Sequence, residues 1–134
     1  MIIAIGGMVT YHLLQKSIVA QVHPVASLAT TYLCALVGTA LLVIAYPLRE
    51  GFVASMRAVG WPSCALGISV VAIELGFLLA YRSGWSLNVA AGYANVATIL
   101  ILFPLGLLAF GEPFSTRKAA GVVLAAVAVF LLSE

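Results

Sequence analysis

Charged residues are scarce in this chain: they make up 7% of it, with four acidic and six basic side chains. The net charge of +2 is too small to attract an anionic polymer, which argues against a nucleic-acid partner. Hydrophobic residues make up 64% of the chain, and the mean hydropathy is +1.21. A soluble domain does not carry so few polar groups. The composition therefore predicts an integral membrane protein, with the lipid bilayer as its solvent.

Sequence motifs for metals and cofactors are also absent. No zinc-ligand spacing and no phosphate-binding loop occurs, so we expect no cofactor, no metal and no enzymatic activity. The two cysteines, Cys34 and Cys64, lie in or near apolar stretches without paired spacing. This pattern favours reduced packing residues over a disulfide.

Five apolar stretches cover most of the chain. At about 1.5 Å per helical residue, each is long enough to cross about 30 Å of hydrocarbon, although the last is near the short limit. Proline, glycine and charge collect between them, where water at the membrane surface hydrates the helix ends. The pattern predicts one membrane domain over residues 1–134 with five transmembrane helices, at 2–21, 25–47, 61–81, 87–110 and 119–133.

The basic residues that flank these stretches predict the orientation of the chain. With five spans, one side of the membrane carries four basic residues and the other carries Lys16 and Arg82. Because basic residues favour the cytoplasmic side, the amino terminus is expected there. The four residues are Arg49, Arg57, Arg117 and Lys118.

One carboxylate, Glu74, lies in the middle of the third stretch, about 12 Å before Arg82 and about 20 Å after Trp61. Keeping a carboxylate charged at that depth costs about 2.5–3.5 kcal/mol, and protonating it at neutral pH costs about 3.7 kcal/mol. Because the two costs are close, a substrate that changes the surroundings of Glu74 can move its proton. Intramembrane carboxylates mark ion and substrate pathways, which makes Glu74 the leading site candidate. The alternative is a buried ion pair with Lys16 that fixes helix register.

Polar residues on the first and fourth stretches are candidate partners of Glu74. On the first stretch the i, i+3, i+4 spacing of the polar residues puts them on one face. We predict one polar cavity for a small-molecule substrate, lined by Glu74, Lys16, His12, Gln15, Tyr93, Asn95 and Thr98. The alternatives are interhelical hydrogen bonds for the amides and an interfacial position for the Lys16 amine.

Small residues form a stripe on the fifth stretch. Gly121, Ala125 and Ala128 are spaced i, i+4, i+7, which lets another backbone approach closely. The stripe predicts either a dimer contact or packing within one subunit.

The closing stretch AFGEPFSTRKAAGVVLAAVAVFLL, residues 109–132, resembles the end of a repeat unit in EamA-like members of the drug/metabolite transporter superfamily. Lys16 and Pro24 also resemble that pattern. The resemblance implies an all-α integral membrane fold in a bacterial inner membrane, with five helices forming one inverted-repeat half of a ten-helix transporter. The chain is more distantly similar to the small multidrug resistance family. That family has its coupling glutamate in the first helix, where this chain has no glutamate.

The resemblance also implies the function and the partner. We expect a half-size secondary transporter of small metabolites or organic ions, with Glu74 as its proton-coupling or substrate-coupling group. Its partner would be a second copy, in an antiparallel homodimer, or a sister half in a heterodimer. Two other functions stay open: a lipid-linked carrier or head-group translocase, and a membrane scaffold without transport activity.

Overall fold

A computed structural model describes residues 1–18 and 21–132 of the chain. Within these residues the fold is all-helical, without strands. The starts of four helices agree with the predicted starts to within one residue. The six helices in this part of the chain are α1 (Ile2–Ser17), α2 (Pro24–Ala45), α3 (Phe52–Ala58), α4 (Trp61–Arg82), α5 (Leu87–Ala109) and α6 (Thr116–Leu132).

The predicted set of five transmembrane helices is wrong. Among the described residues, three helices are long and apolar enough to cross a membrane: α2, α4 and α5, with 22, 22 and 23 residues. α1 has 16 residues and α6 has 17, so they rise about 24 and about 26 Å, less than the hydrocarbon thickness. The five-helix inverted-repeat half is therefore not the architecture of this chain. Of the predicted helix ends, Val19, Ala20 and Ser133 lie outside the described residues.

The additional helix, α3, lies between the second and third predicted stretches, where no helix was predicted. It has seven residues, which rise about 10 Å and cannot cross a bilayer. Gly51, with φ 81°, precedes it in a left-handed conformation that suits glycine. Arg57 lies in the last turn, where a cation stabilises the carbonyl end of a helix.

Most large apolar side chains in the described part of the chain face outward. The buried apolar residues there are few: Leu28, Leu78, Tyr81 and Ala90. In water, so much exposed apolar surface would drive association, whereas lipid is a good solvent for it. The three long apolar helices and this surface are those of a membrane protein.

Hydroxyl groups on the spanning helices bond to the backbone of their own helix. Each reaches the carbonyl oxygen four residues earlier, at 2.8 to 3.1 Å. These bonds satisfy the hydroxyl without water, which lets a polar residue face lipid. The residues are Thr30, Thr31, Thr39, Ser69 and Thr98.

The chain divides into two compact units. Unit 1 holds Met1–Lys16 and Ala80–Glu134, and unit 2 holds Ser17–Leu79. In unit 1, α5 packs against α6. Gly92 lies at this contact, because a methyl group added to it would be 3.6 Å from Cγ2 of Val129.

The end of α4 is a Schellman turn, which sets the position of Trp85. Gly84 has φ 98°. Its N–H donates to the carbonyl of Tyr81 at 3.2 Å, and the N–H of Trp85 donates to the carbonyl of Ala80 at 3.1 Å. This pair of bonds defines the motif, in which the left-handed residue is usually glycine. The turn ends α4 and leads directly into α5.

Candidate functional site

Glu74 is buried in unit 2, with 9% of its surface exposed. It lies near the middle of α4, about 20 Å along the helix from Trp61. The hydroxyl of Tyr32, on α2, lies beside the carboxylate and interacts with it electrostatically. Oε2 of Glu74 and the hydroxyl oxygen of Tyr32 are both shielded from solvent. The candidate site of unit 2 is therefore a carboxylate and a phenol on two spanning helices.

Helical spacing explains why these two side chains point inward. Leu28 is buried one turn before Tyr32 on α2, and Leu78 is buried one turn after Glu74 on α4. Residues four apart lie on the same face of a helix. Each polar residue therefore shares the face of a buried leucine on its own helix.

A carboxylate beside a phenol offers hydrogen-bond acceptors and an aromatic face to a ligand. An ionised carboxylate only accepts hydrogen bonds, and a tyrosine hydroxyl can donate one. The tyrosine ring adds a face that attracts cations. In low dielectric these interactions are stronger than they are in water. The arrangement is therefore suited to binding a cation.

Tyr32 is not among the site residues that the sequence predicts. A tyrosine in an apolar stretch is ordinary, and its meaning depends on which helix packs against it. The spacing of Leu28 and Tyr32 is the only local indication, and it does not name Glu74 as the neighbour.

A second polar cluster lies in unit 1, where α1 meets the end of α4. Nδ1 of His12 lies 2.9 Å from the hydroxyl of Tyr81. The amine of Lys16 donates a hydrogen bond to the carbonyl of Trp85 at 3.2 Å and lies 6.0 Å from the centre of the Tyr81 ring. Burial lowers the pKa of the His12 imidazole below its usual value of 6.5. Gln15, on the same helix, is buried with 6% of its surface exposed.

The three candidates on α5 do not share one face. Tyr93 packs edge-on against Trp85, with ring centres 5.8 Å apart. Asn95 is about 200° away around the helix. Asn95 and Thr98 are exposed, and the Thr98 hydroxyl bonds to the carbonyl of Ala94.

The predicted cavity has its members in both units. Glu74 belongs to unit 2, and Lys16, His12, Gln15, Tyr93, Asn95 and Thr98 belong to unit 1. A single cavity that contains all seven therefore stays a prediction. In the described part of the chain, no three His, Cys, Asp or Glu side chains group as metal ligands would.

The small-residue stripe on α6 is accessible to a neighbour. A methyl group added to Gly121 would meet nothing within 4 Å. Ala125 is half-buried and Ala128 is exposed. The dimer contact at this stripe stays a prediction.

Comparison with protein-family models, with curated proteins and with solved structures gives no match.

Proposed function

We propose that the chain is a secondary transporter of small metabolites or organic ions, in which Glu74 exchanges a proton for the substrate. The observation that carries this proposal is a buried carboxylate beside a tyrosine hydroxyl, in the middle of a membrane-spanning helix. Ionisable groups are rare at this depth and mark proton and substrate pathways. The resemblance of residues 109–132 to the drug/metabolite transporter superfamily also supports transport.

Organic cations fit the Glu74 and Tyr32 site better than anions do. The cation binds the carboxylate after the proton has left, and the ring of Tyr32 offers a further attractive face. When the cation leaves on the other side of the membrane, Glu74 takes up a proton again. One proton therefore moves against each cation, by alternating access of the site to the two sides.

The working unit in this proposal is a pair of chains. A path across the bilayer needs walls on all sides, and three spanning helices of one chain are few for that purpose. The stripe of Gly121, Ala125 and Ala128 is the proposed contact, because small residues let helices approach closely in lipid.

We place the protein in a bacterial inner membrane, as the resemblance implies. Four of the six basic residues lie in the segments that follow α2 and α5, and these segments share one side if α2, α4 and α5 cross the membrane. The positive-inside rule makes that side cytoplasmic. Because α1 is not one of the three spans, the same rule now places the amino terminus on the opposite side, unlike the five-span expectation.

Proton movement in proteoliposomes tests the proposal. Wild type and Glu74→Gln are reconstituted with an internal pH dye and challenged with amines, quaternary cations, amino acids and nucleosides. We expect at least one organic cation to move protons with wild type, and no movement with Glu74→Gln. Full proton movement with Glu74→Gln, or none with wild type for any compound, would overturn the proposal.

A matched variant separates the role of Glu74 from a general effect of charge. Glu50→Gln makes the same chemical change in an exposed loop, and we expect it to keep wild-type flux. Both variants must elute as wild type does and show the same helix content by circular dichroism before their fluxes are compared.

A further inference from the structure

A groove of about 310 Å³ runs between α5 and α6 in unit 1. Val89, Val96 and Leu100 line it on α5, and Val129 and Phe130 line it on α6. The residues on α5 follow helical spacing, so the groove runs along one face of a spanning helix. Its walls are those of a site for an apolar chain.

The length of the groove matches one leaflet of a bilayer. From Val89 to Leu100 the helix rises about 16 Å. Half of the hydrocarbon thickness is about 15 Å. An acyl chain that enters at the membrane surface would therefore fill the groove and end near the bilayer centre.

Trp85 forms one end of the groove, and Tyr93, one turn after Val89, packs against Trp85. Trp85 and Tyr93 both line the groove, with their rings 5.8 Å apart at an angle of 74°. Trp85 directly follows the turn that ends α4, so it lies where two spanning helices meet the membrane surface. Tryptophan favours this depth, because its ring is apolar and its N–H group reaches the head groups.

A lysine amine is fixed beside this aromatic end. Lys16 donates to the carbonyl of Trp85 at 3.2 Å. An ammonium group has three donors, so two more remain for a ligand. The side chain is exposed, and lysine binds phosphate as a compact point charge. Arg82, three residues before Trp85, adds a second positive charge to this end of unit 1.

We propose that unit 1 binds one anionic phospholipid of the surrounding bilayer, with its phosphate at Lys16 and one acyl chain in the groove between α5 and α6. The site has a positive charge at its surface end, then aromatic rings, then an apolar groove as long as one leaflet. This order matches the order of groups in a phospholipid. A second copy of the chain would cover the groove, but would not account for the amine at its surface end.

Lipid retention tests this assignment. The protein is purified in a mild detergent and exposed to vesicles of equal parts phosphatidylglycerol and phosphatidylcholine, and the lipid that stays bound is counted by native mass spectrometry. We expect wild type to retain phosphatidylglycerol in preference. Lys16→Gln should reduce that preference about fivefold, the effect of one basic residue at a lipid surface. Lys118→Gln removes the same charge at another position, and this variant should keep the wild-type preference for phosphatidylglycerol.

The groove is tested separately by filling it. Ala126 lines the groove, and Ala126→Phe should reduce the total bound lipid. Ala120→Phe adds the same ring on an exposed part of α6, and we expect it to leave the total bound lipid unchanged. Val96→Phe fills the groove from α5 and serves if Ala126→Phe does not fold.

Three results would overturn the proposal. One is equal retention of the two lipids by wild type. Another is unchanged lipid binding in both groove-filling variants. The third is that wild type forms a dimer without bound lipid and that Ala126→Phe dissociates this dimer. That result would assign the groove to a second copy of the chain.

Discussion

Nδ1 of His12, on α1, lies 2.9 Å from the hydroxyl oxygen of Tyr81, near the end of α4. The two residues are 69 positions apart in sequence, so this contact joins distant parts of the chain within unit 1. Lys16, one turn after His12, lies over the same ring. Tyr81 thus holds the last turns of α1 at the end of α4, beside the turn that positions Trp85.

Removing the Tyr81 hydroxyl should destabilise the protein. Tyr81→Phe keeps the ring and leaves His12 without this partner, which we expect to lower the free energy of unfolding by about 1 kcal/mol. The measurement is denaturant unfolding in detergent micelles. Tyr46→Phe is the control, because 76% of Tyr46 is exposed. Equal effects of the two substitutions would show that the contact with His12 does not stabilise the fold.

Acidification should weaken unit 1 through His12. Burial lowers the pKa of this imidazole in the folded chain, whereas the unfolded value is 6.5. The unfolded chain therefore binds the proton more readily, and stability falls as the pH drops below about 6.5. We expect wild type to lose more stability than His12→Gln between about pH 7.5 and about pH 5.5. Parallel losses in the two proteins would contradict this linkage.

The hydroxyl of Tyr32 should contribute to substrate binding at Glu74. Tyr32→Phe keeps the ring and removes the group that lies beside the carboxylate. In the proposed cation-bound state this hydroxyl donates to the ionised carboxylate. A hydrogen bond to a charged group is worth about 1.5 kcal/mol or more, so we expect the apparent affinity for the transported cation to fall about tenfold. Tyr46→Phe again serves as the control. Unchanged affinity in Tyr32→Phe would remove this residue from the proposed site.

The sequence predicted helix starts well where local chemistry decides them. Pro24 begins α2, since its fixed φ and missing donor suit the first turn. Trp61 begins α4 immediately after Gly60. The end of α1 was predicted too late, because an apolar stretch that continues past Ser17 gives no sign of where the helix stops.

The sequence pattern could not predict which helices contact each other. The pairing of Tyr32 with Glu74 depends on α2 lying against α4. The groove beside Trp85 likewise depends on α5 packing on α6, with Gly92 against Val129. Periodicity identifies the inward face of one helix, but it does not identify the residue on the next helix that this face meets.

The turn after α4 should tolerate no side chain at Gly84. Its φ of 98° is rare for other residues, so we expect Gly84→Ala to lower the free energy of unfolding by about 1 kcal/mol or more. Gly67→Ala is the matched control, because Gly67 lies inside α4 with open space around it. There the added methyl group should be neutral or slightly stabilising. Thermal unfolding of the two variants measures the difference, and an equal loss of stability in both would contradict the prediction.

The two cysteines test whether α2 and α4 cross the bilayer. Both are exposed in the isolated chain, so protein does not shield either one. Cys64 lies about 5 Å from the start of α4, near the membrane surface, whereas Cys34 lies about 15 Å along α2, near the bilayer centre. Lipid suppresses the thiolate that reacts with maleimides. In open membrane fragments we therefore expect a charged maleimide to label Cys34 at least about tenfold more slowly than Cys64.

Single-cysteine proteins, Cys34→Ser and Cys64→Ser, give the two rates separately, and labelling after unfolding in detergent gives the full extent for each. Cys34 also borders a surface groove with Ser27, Thr30 and Thr31. Rapid labelling of Cys34 in membranes would mean that water fills this groove. α2 would then line an aqueous path at that depth, and its exposed face would not be a lipid-facing surface.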